Sequence, residues 1–189
     1  MVNLSGGEIL IPEPFTSEYR VATDREIRAW SFGQITHRVP NAAPPDDYVG
    51  TLADQRIFGP LIDYRCACGK YDGTKYDRMV CDRCGVKVTT VDARRTGFGH
   101  IEFLSGSVEH PFDSAVNMGC FPVIAAGYME SPAGIRLCSH YEQLLTAPDV
   151  LPELVKYLFS MAENSVRWRI RDADIFTRGI GLIRHSEAT

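Results

Sequence analysis

Residues 66–85 read CACGKYDGTKYDRMVCDRCG. Four of the six cysteines lie here in two tight pairs: Cys66 and Cys68 as C-x-C, and Cys81 and Cys84 as C-x-x-C, with twelve residues between the pairs. Such spacing is that of a zinc ribbon, in which each pair sits at a tight turn and the loop folds the pairs together. Gly69 follows the first pair and Gly85 the second; glycine lets the backbone turn sharply around a metal. Four thiolates leave one Zn2+ no open position for water, so the site reads as structural. Metal binding of this kind contributes ~10–16 kcal/mol to a local fold with almost no core of its own. Disulfides and an iron–sulfur cluster are the alternative uses of the four sulfurs.

Outward from this stretch, the chain has 189 residues, 44% of them hydrophobic, enough for one core, with or without a small satellite. No run approaches the ~18 apolar residues of a membrane span. The N-terminal MVNLSGGEILIPEPF has neither the basic start nor the apolar centre of a secretory signal. A cytoplasmic location is therefore expected, where thiols stay reduced and the cysteines serve as ligands or buried groups. The formal net charge of −4 argues against autonomous wrapping of duplex DNA, whose affinity comes from phosphate neutralisation.

The expected fold class is α+β: small β-hairpins with an embedded four-cysteine zinc ribbon, flanked by helices. Residues 1–22, broken by Pro12 and Pro14, read as an extended N-terminal arm. Thr23 and Glu26 have capping-box spacing ahead of a short helix over 24–32 stopped by Gly33. A Pro- and Asp-rich loop (HRVPNAAPPDDYVGT) follows. The ribbon occupies 63–90, with a strand near 86–92 read from the alternation of VKVTTVD. GHIEFLSG and FPVIAAGYMESPAG suggest two more strands, the second followed by a turn. Ser139 and Glu142 suggest a capped helix in SHYEQLLTA. From residue 149 a C-terminal helix and tail are expected. Leu151, Leu154, Val155, Leu158, Ala162 and Val166 form one helix face, and Asp149 is the N-cap. This divides the chain into 1–22, 23–148 and 149–189.

Residues 63–100 hold eight Lys/Arg against five Asp, a net of +3, a weak electrostatic footprint. Lys70, Lys75, Arg78, Arg83 and Lys87 lie on or beside the ribbon, followed by Arg94 and Arg95; these seven are the candidates for phosphate contacts, against a plain solvated surface. Arg94 and Arg95 can instead pair with Asp92. Tyr71 and Tyr76 are placed either to stack bases or to cover the small ribbon core, and the second reading is favoured. Arg167, Trp168, Arg169 and Arg171 end the long helix, where basic groups complement its dipole. Trp30 is expected in the core. His100 and Glu102 form an H-x-E that, with Cys120, outlines an enzyme alternative of the hydrolase or deaminase kind. The order is reversed relative to zinc deaminases, and the four cysteines already account for one metal. Cys120 and Cys138 read as buried thiols, and His110 and His140 as packed or surface histidines.

Four segments in order, IRAWSFG, RIFGP, DYRCACGKYDGTKYDRMVCDRCGVKVT and ARRTGFGHIE, resemble the N-terminal region of the β′ subunit of bacterial RNA polymerase. The resemblance is specific from about Glu26 to Glu102 and continues more faintly into FPVIAAGYMESPAGIRLCSHYEQLL. It implies that 23–148 is a β′ N-terminal-like domain and that Cys66, Cys68, Cys81 and Cys84 hold zinc. It also implies a place near upstream DNA and the exit path of RNA. Departures are visible. The ribbon loop of the family is rich in Lys and Arg, whereas Asp72, Asp77 and Asp82 interrupt it here, and PNAAPPDD stands in place of the family's zipper loop. The aspartate triad that binds Mg2+ in β′ does not occur in this sequence. Met1 and the distinctive tail favour a free-standing relative over a fragment. The resulting expectation is a non-catalytic zinc-binding protein of transcription that binds polymerase components, a sigma factor, DNA or RNA, with no membrane association. A structural or protein-interaction module that has left transcription is the alternative.

Overall fold

The computed structural model describes residues 19–39, 48–125, 131–167 and 173–185. The expected arm over 1–18, the PNAAPPDD loop, the turn at 126–130, and Trp168, Arg169 and Arg171 lie outside these residues, as do the side chains of Ala162, Val166 and Arg167. The described residues form three antiparallel strand pairs with helices around them, so the α+β class holds.

Strand β1 (Tyr19–Val21) leads into helix α1 (Asp24–Trp30). The capping box that the sequence suggested is present in full. Thr23 Oγ1 accepts from the Glu26 N–H at 3.3 Å, and the Glu26 carboxylate accepts from the Thr23 N–H at 2.8 Å, satisfying two donors that the first helical turn leaves free. The helix ends at Ser31, two residues earlier than expected. The chain then runs alongside β2 (Phe98–Glu102), with the Phe32 N–H on the Phe98 carbonyl at 2.8 Å and the Ile35 N–H on the His100 carbonyl at 2.7 Å. The single turn α2 (Gln55–Phe58) is capped by Asp54.

After the ribbon, β2 pairs with β5 (Cys120–Ile124) in the register Phe98↔Ile124 to Glu102↔Cys120, and every residue of β5 is buried. Between them, β3 (Val108–His110) and β4 (Asp113–Met118) form a hairpin with an irregularity at Glu109/His110. Helices α3 (Pro132–Leu144), α4 (Leu151–Arg167) and α5 (Ala173–Gly179) follow, and β6 (Leu182–Arg184) returns to pair with β1.

Two apolar clusters result. The larger joins Ile27 of α1, Phe121 and Val123 of β5, Leu137 and Tyr141 of α3, Leu151, Leu154 and Leu158 of α4, and Leu182 of β6, with Trp30 packed against its edge. Each fully buried aliphatic side chain of this kind contributes about 1.5–3 kcal/mol. The smaller consists of Cys66, Cys81, Val86 and Val88 inside the ribbon.

Three expectations are corrected. Residues 86–92 are not a strand: one isolated bridge joins Val80 and Lys87, and Val91–Arg95 form a 3-10 helix. Val86 and Val88 alternate because both point into the ribbon. Ser139 caps nothing; α3 begins eight residues earlier, where Ser131 accepts from the Gly134 N–H and Pro132 occupies the first turn. Asp149 lies in a short 3-10 turn before α4 instead of capping it. In the expected C-terminal helix and tail, α4 and α5 share the large cluster, and β6 forms within the tail.

Candidate metal centre

The ribbon is built from turns. The Gly69 N–H donates to the Cys66 carbonyl at 3.0 Å and the Gly85 N–H to the Cys81 carbonyl at 2.8 Å. Gly69 and Gly85 take φ of 72° and 73°, the left-handed region that favours glycine. The second turn is closed by the Cys81 N–H on the Val86 carbonyl at 3.0 Å and the Val88 N–H on the Met79 carbonyl at 2.8 Å. Tyr64 closes the base, its N–H on the Thr89 carbonyl at 2.8 Å.

These turns bring the four sulfurs within 4.8 Å of one another. Cys66 Sγ lies 3.7 Å from Cys68 Sγ, and Cys68 Sγ lies 3.7 Å from Cys81 Sγ. A regular tetrahedron with Zn–S bonds of about 2.3 Å has sulfur–sulfur edges of about 3.8 Å. The donor set therefore fits a metal ion in four-sulfur coordination. Cys66 and Cys81 are buried, Cys68 and Cys84 half-buried. Backbone N–H groups support the thiolates: Tyr71 N–H points at Cys66 Sγ at 3.3 Å. Burial opposes ionisation of Cys81, but N–H donors from Cys84 and Arg83 and the neighbouring thiols bring it down to about 7. Burial moves Cys84 the other way. Tyr71 and Tyr76 pack on the ribbon core with ring centroids 4.9 Å apart, as their covering role requires.

The seven basic candidates are differently engaged. Lys70 is held by Asp82 at 2.6 Å, Arg78 lies 3.7 Å from Asp77, and Arg95 lies 3.5 Å from Asp92. Lys75 sits over the Tyr76 ring at 4.8 Å. Arg83 and Lys87 are exposed, with no carboxylate at ion-pair distance among the described residues. Arg94 is a correction: it is 6% exposed, its Nη1 donates to the Gly59 carbonyl at 2.6 Å, and its Nη2 is buried without a partner among the described residues. It braces α2 against the 3-10 helix and does not face solvent, so it cannot meet a phosphate as the chain stands. Arg56, which the sequence reading passed over, is fixed by the buried Asp54 at 2.8 Å. Burial works against the Asp54 carboxylate, yet the Arg56 guanidinium and two backbone N–H groups hold it below the usual range.

His100, Glu102 and Cys120 do come together, on β2 and β5, but every group is engaged structurally. Arg28 grips both Glu102 oxygens at 2.9 Å, and His100 Nδ1 meets Ser31 Oγ at 2.7 Å. Burial pushes the Cys120 thiol up to about 12 and Cys138 up to about 11, so both stay protonated near neutrality.

No family model matches the chain. Among curated proteins it is 48% identical over 94 residues, 48% of its length, to the DNA-directed RNA polymerase subunit beta' of Lactobacillus delbrueckii subsp. bulgaricus. It is 47% identical over 89 residues, 45% of its length, to that of a Sulfurihydrogenibium species, and 38% identical over 116 residues, 58% of its length, to that of Deinococcus radiodurans. The chain spans only 5–7% of the length of these relatives. Through about half of its length, this chain with its four-sulfur centre is related to the β′ subunit of bacterial DNA-directed RNA polymerase.

Proposed function

We propose that the chain is a non-catalytic zinc-binding protein of the bacterial cytoplasm that acts in transcription by binding. Its partners are polymerase components, a sigma factor or nucleic acid, and the ribbon is a rigid platform for them. The observation that carries this reading is the tetrahedral spacing of four sulfurs in a chain about half of which aligns with β′. Zinc is the ion that four thiolates at this spacing favour in a reducing compartment. Four protein sulfurs leave no site on the metal for a reacting water, and the His100–Glu102–Cys120 group offers no thiolate. Both points support binding over chemistry. Of the ribbon's cations, those on Asp partners contribute little to a phosphate footprint, so protein contacts carry more of the reading than nucleic acid does.

The test is a pull-down from native bacterial lysate with the tagged, zinc-loaded chain, at low and high salt, with a nuclease-treated parallel. Polymerase subunits or a sigma factor retained after nuclease are the expected result. Nucleic acid alone, lost at high salt, would shift the function to the ribbon's basic residues. Recovery of neither would sink the proposal.

A further inference from the structure

Between the ribbon and the body lies a groove of about 480 Å3. The ribbon supplies Val80 and Lys87 to one wall, and α2 supplies Arg56, Ile57 and Phe58 to the other, with Phe32 at the rim. Phe32 is 70% exposed and Val80 61%. Large apolar side chains this open, gathered at one concavity, mark a contact surface more than scattered ones do. The groove has a sign as well. No carboxylate lines it, and its two charged side chains are both cations. Arg56 is aimed by Asp54, which also balances its charge, so the unbalanced cation of the groove is Lys87, which has no carboxylate partner among the described residues. Other ribbon cations are neutralised, Arg65 by Asp72 and Lys70 by Asp82. Arg83, also without a carboxylate partner, lines a neighbouring cavity that shares Arg56. Lys87 and Arg83, cations without a carboxylate partner among the described residues, thus line cavities that both include Arg56, whereas Lys75, over the Tyr76 ring, lines neither.

We propose that this groove takes a short acidic segment of a partner protein, with an apolar side chain seated against Phe32 and Val80 and a carboxylate on Lys87. The proposal rests on the reading that the chain works through protein partners, and names the chemistry of one contact. A nucleic-acid strand fits less well. Its affinity grows with the number of phosphates neutralised; here there are two cations, one already paired, in a chain of net charge −4. The walls, Ile57, Phe58, Val80 and Ala93, are mostly aliphatic, better matched to a Leu or Phe than to a base. One wall is the ribbon itself, so the groove exists only while the metal holds the ribbon.

The test uses the full zinc-loaded chain and a displayed library of random 12-residue peptides. Selected peptides should carry Asp or Glu beside Leu, Ile or Phe. Their affinity should fall about tenfold or more in Val80→Asp and in Lys87→Glu, and stay unchanged in Lys70→Glu, which lies off the groove. Both groove positions are exposed; if Val80→Asp loses its zinc, Lys87→Glu decides. The proposal is overturned if selection yields no acidic–apolar pattern, or if Lys70→Glu weakens the peptides and the groove variants do not. It is also overturned if the groove variants weaken a single-stranded 12-nucleotide oligomer and leave the peptides untouched. The lysate pull-down separates the two failures. Groove variants that still recover polymerase subunits as wild type does overturn the groove alone; a wild-type chain that recovers none overturns the transcription reading, while the peptide affinities still decide the groove.

Discussion

His110 shows how one buried side chain sets a property of the whole chain. It is 1% exposed. Its Nε2 faces the Ile180 carbonyl at 2.9 Å, which can only accept, so Nε2 carries the proton; Nδ1 accepts from the Phe112 N–H at 3.1 Å. The neutral ring satisfies both, and a second proton has no acceptor. Burial accordingly pushes His110 down to about 4, against smaller opposing effects of Ile180 and Asp113. In the unfolded chain the ring titrates near 6.5, so below that value the unfolded state binds the proton first. Stability present above pH 6.5 is lost as pH falls towards 4, by about 3 kcal/mol in full. Urea midpoints at pH 7 and pH 5 should differ accordingly, and His110→Gln should flatten the difference whatever its effect at pH 7. Equal pH slopes in the two proteins would remove His110 from the account. The sequence marked His110 only as a packed or surface histidine, because its partners, the Ile180 carbonyl and the Phe112 N–H, are backbone groups that no side-chain motif announces.

Elements whose determinants lie close together in the chain were the readable ones. The α1 capping box was visible as Thr23 and Glu26, and the structure adds a second use of the same carboxylate: Arg20 binds it at 2.6 Å and 3.0 Å. The Arg20 side chain leads the causes that hold Glu26 at about 2, with burial opposing and Thr23 assisting. Thr23→Ala should cost about 1 kcal/mol, within the 0.5–2 kcal/mol range for cap removal, read as a lower urea midpoint with unchanged zinc content. An unchanged midpoint would mean that the Arg20–Glu26 pair alone secures the helix start. The ribbon was readable for the same reason, since four sulfurs and three glycines within twenty residues encode its turns. The misread elements had a local pattern with two solutions. Alternating Val86 and Val88 fit a strand as well as a pair of side chains turned into a metal knot. Ser139 and Glu142 have cap spacing, but they fall inside a helix that Ser131 and Pro132 had already started.

At the scale of the molecule, the two apolar clusters are held by different forces. The large one is closed by apolar burial, while the ribbon has four buried residues, two of them cysteines of the four-sulfur set. Metal removal should therefore unfold part of the chain only. Under chelation, hydrogen exchange at residues 63–90 should rise towards that of an open chain, while β2 and β5 stay protected; Cys81→Ser should reproduce the pattern without chelator and lower bound zinc from one per chain towards zero. Protection lost throughout would make ribbon and body one cooperative unit. The membership of the large cluster was the least legible feature, because β6 becomes a strand only by meeting β1 at the other end of the chain. That pairing also has a consequence in time. Tyr19 and Arg184 touch across 165 positions, and a ribosome adds roughly 5–20 residues per second. The first strand thus emerges about 10–30 seconds before its partner exists, while all four ligands of the ribbon emerge within a few seconds of one another. Birth of the protein is vectorial: the four-cysteine knot can close while the nascent chain still lengthens, and the β1–β6 seam is sewn only after Arg184 has emerged.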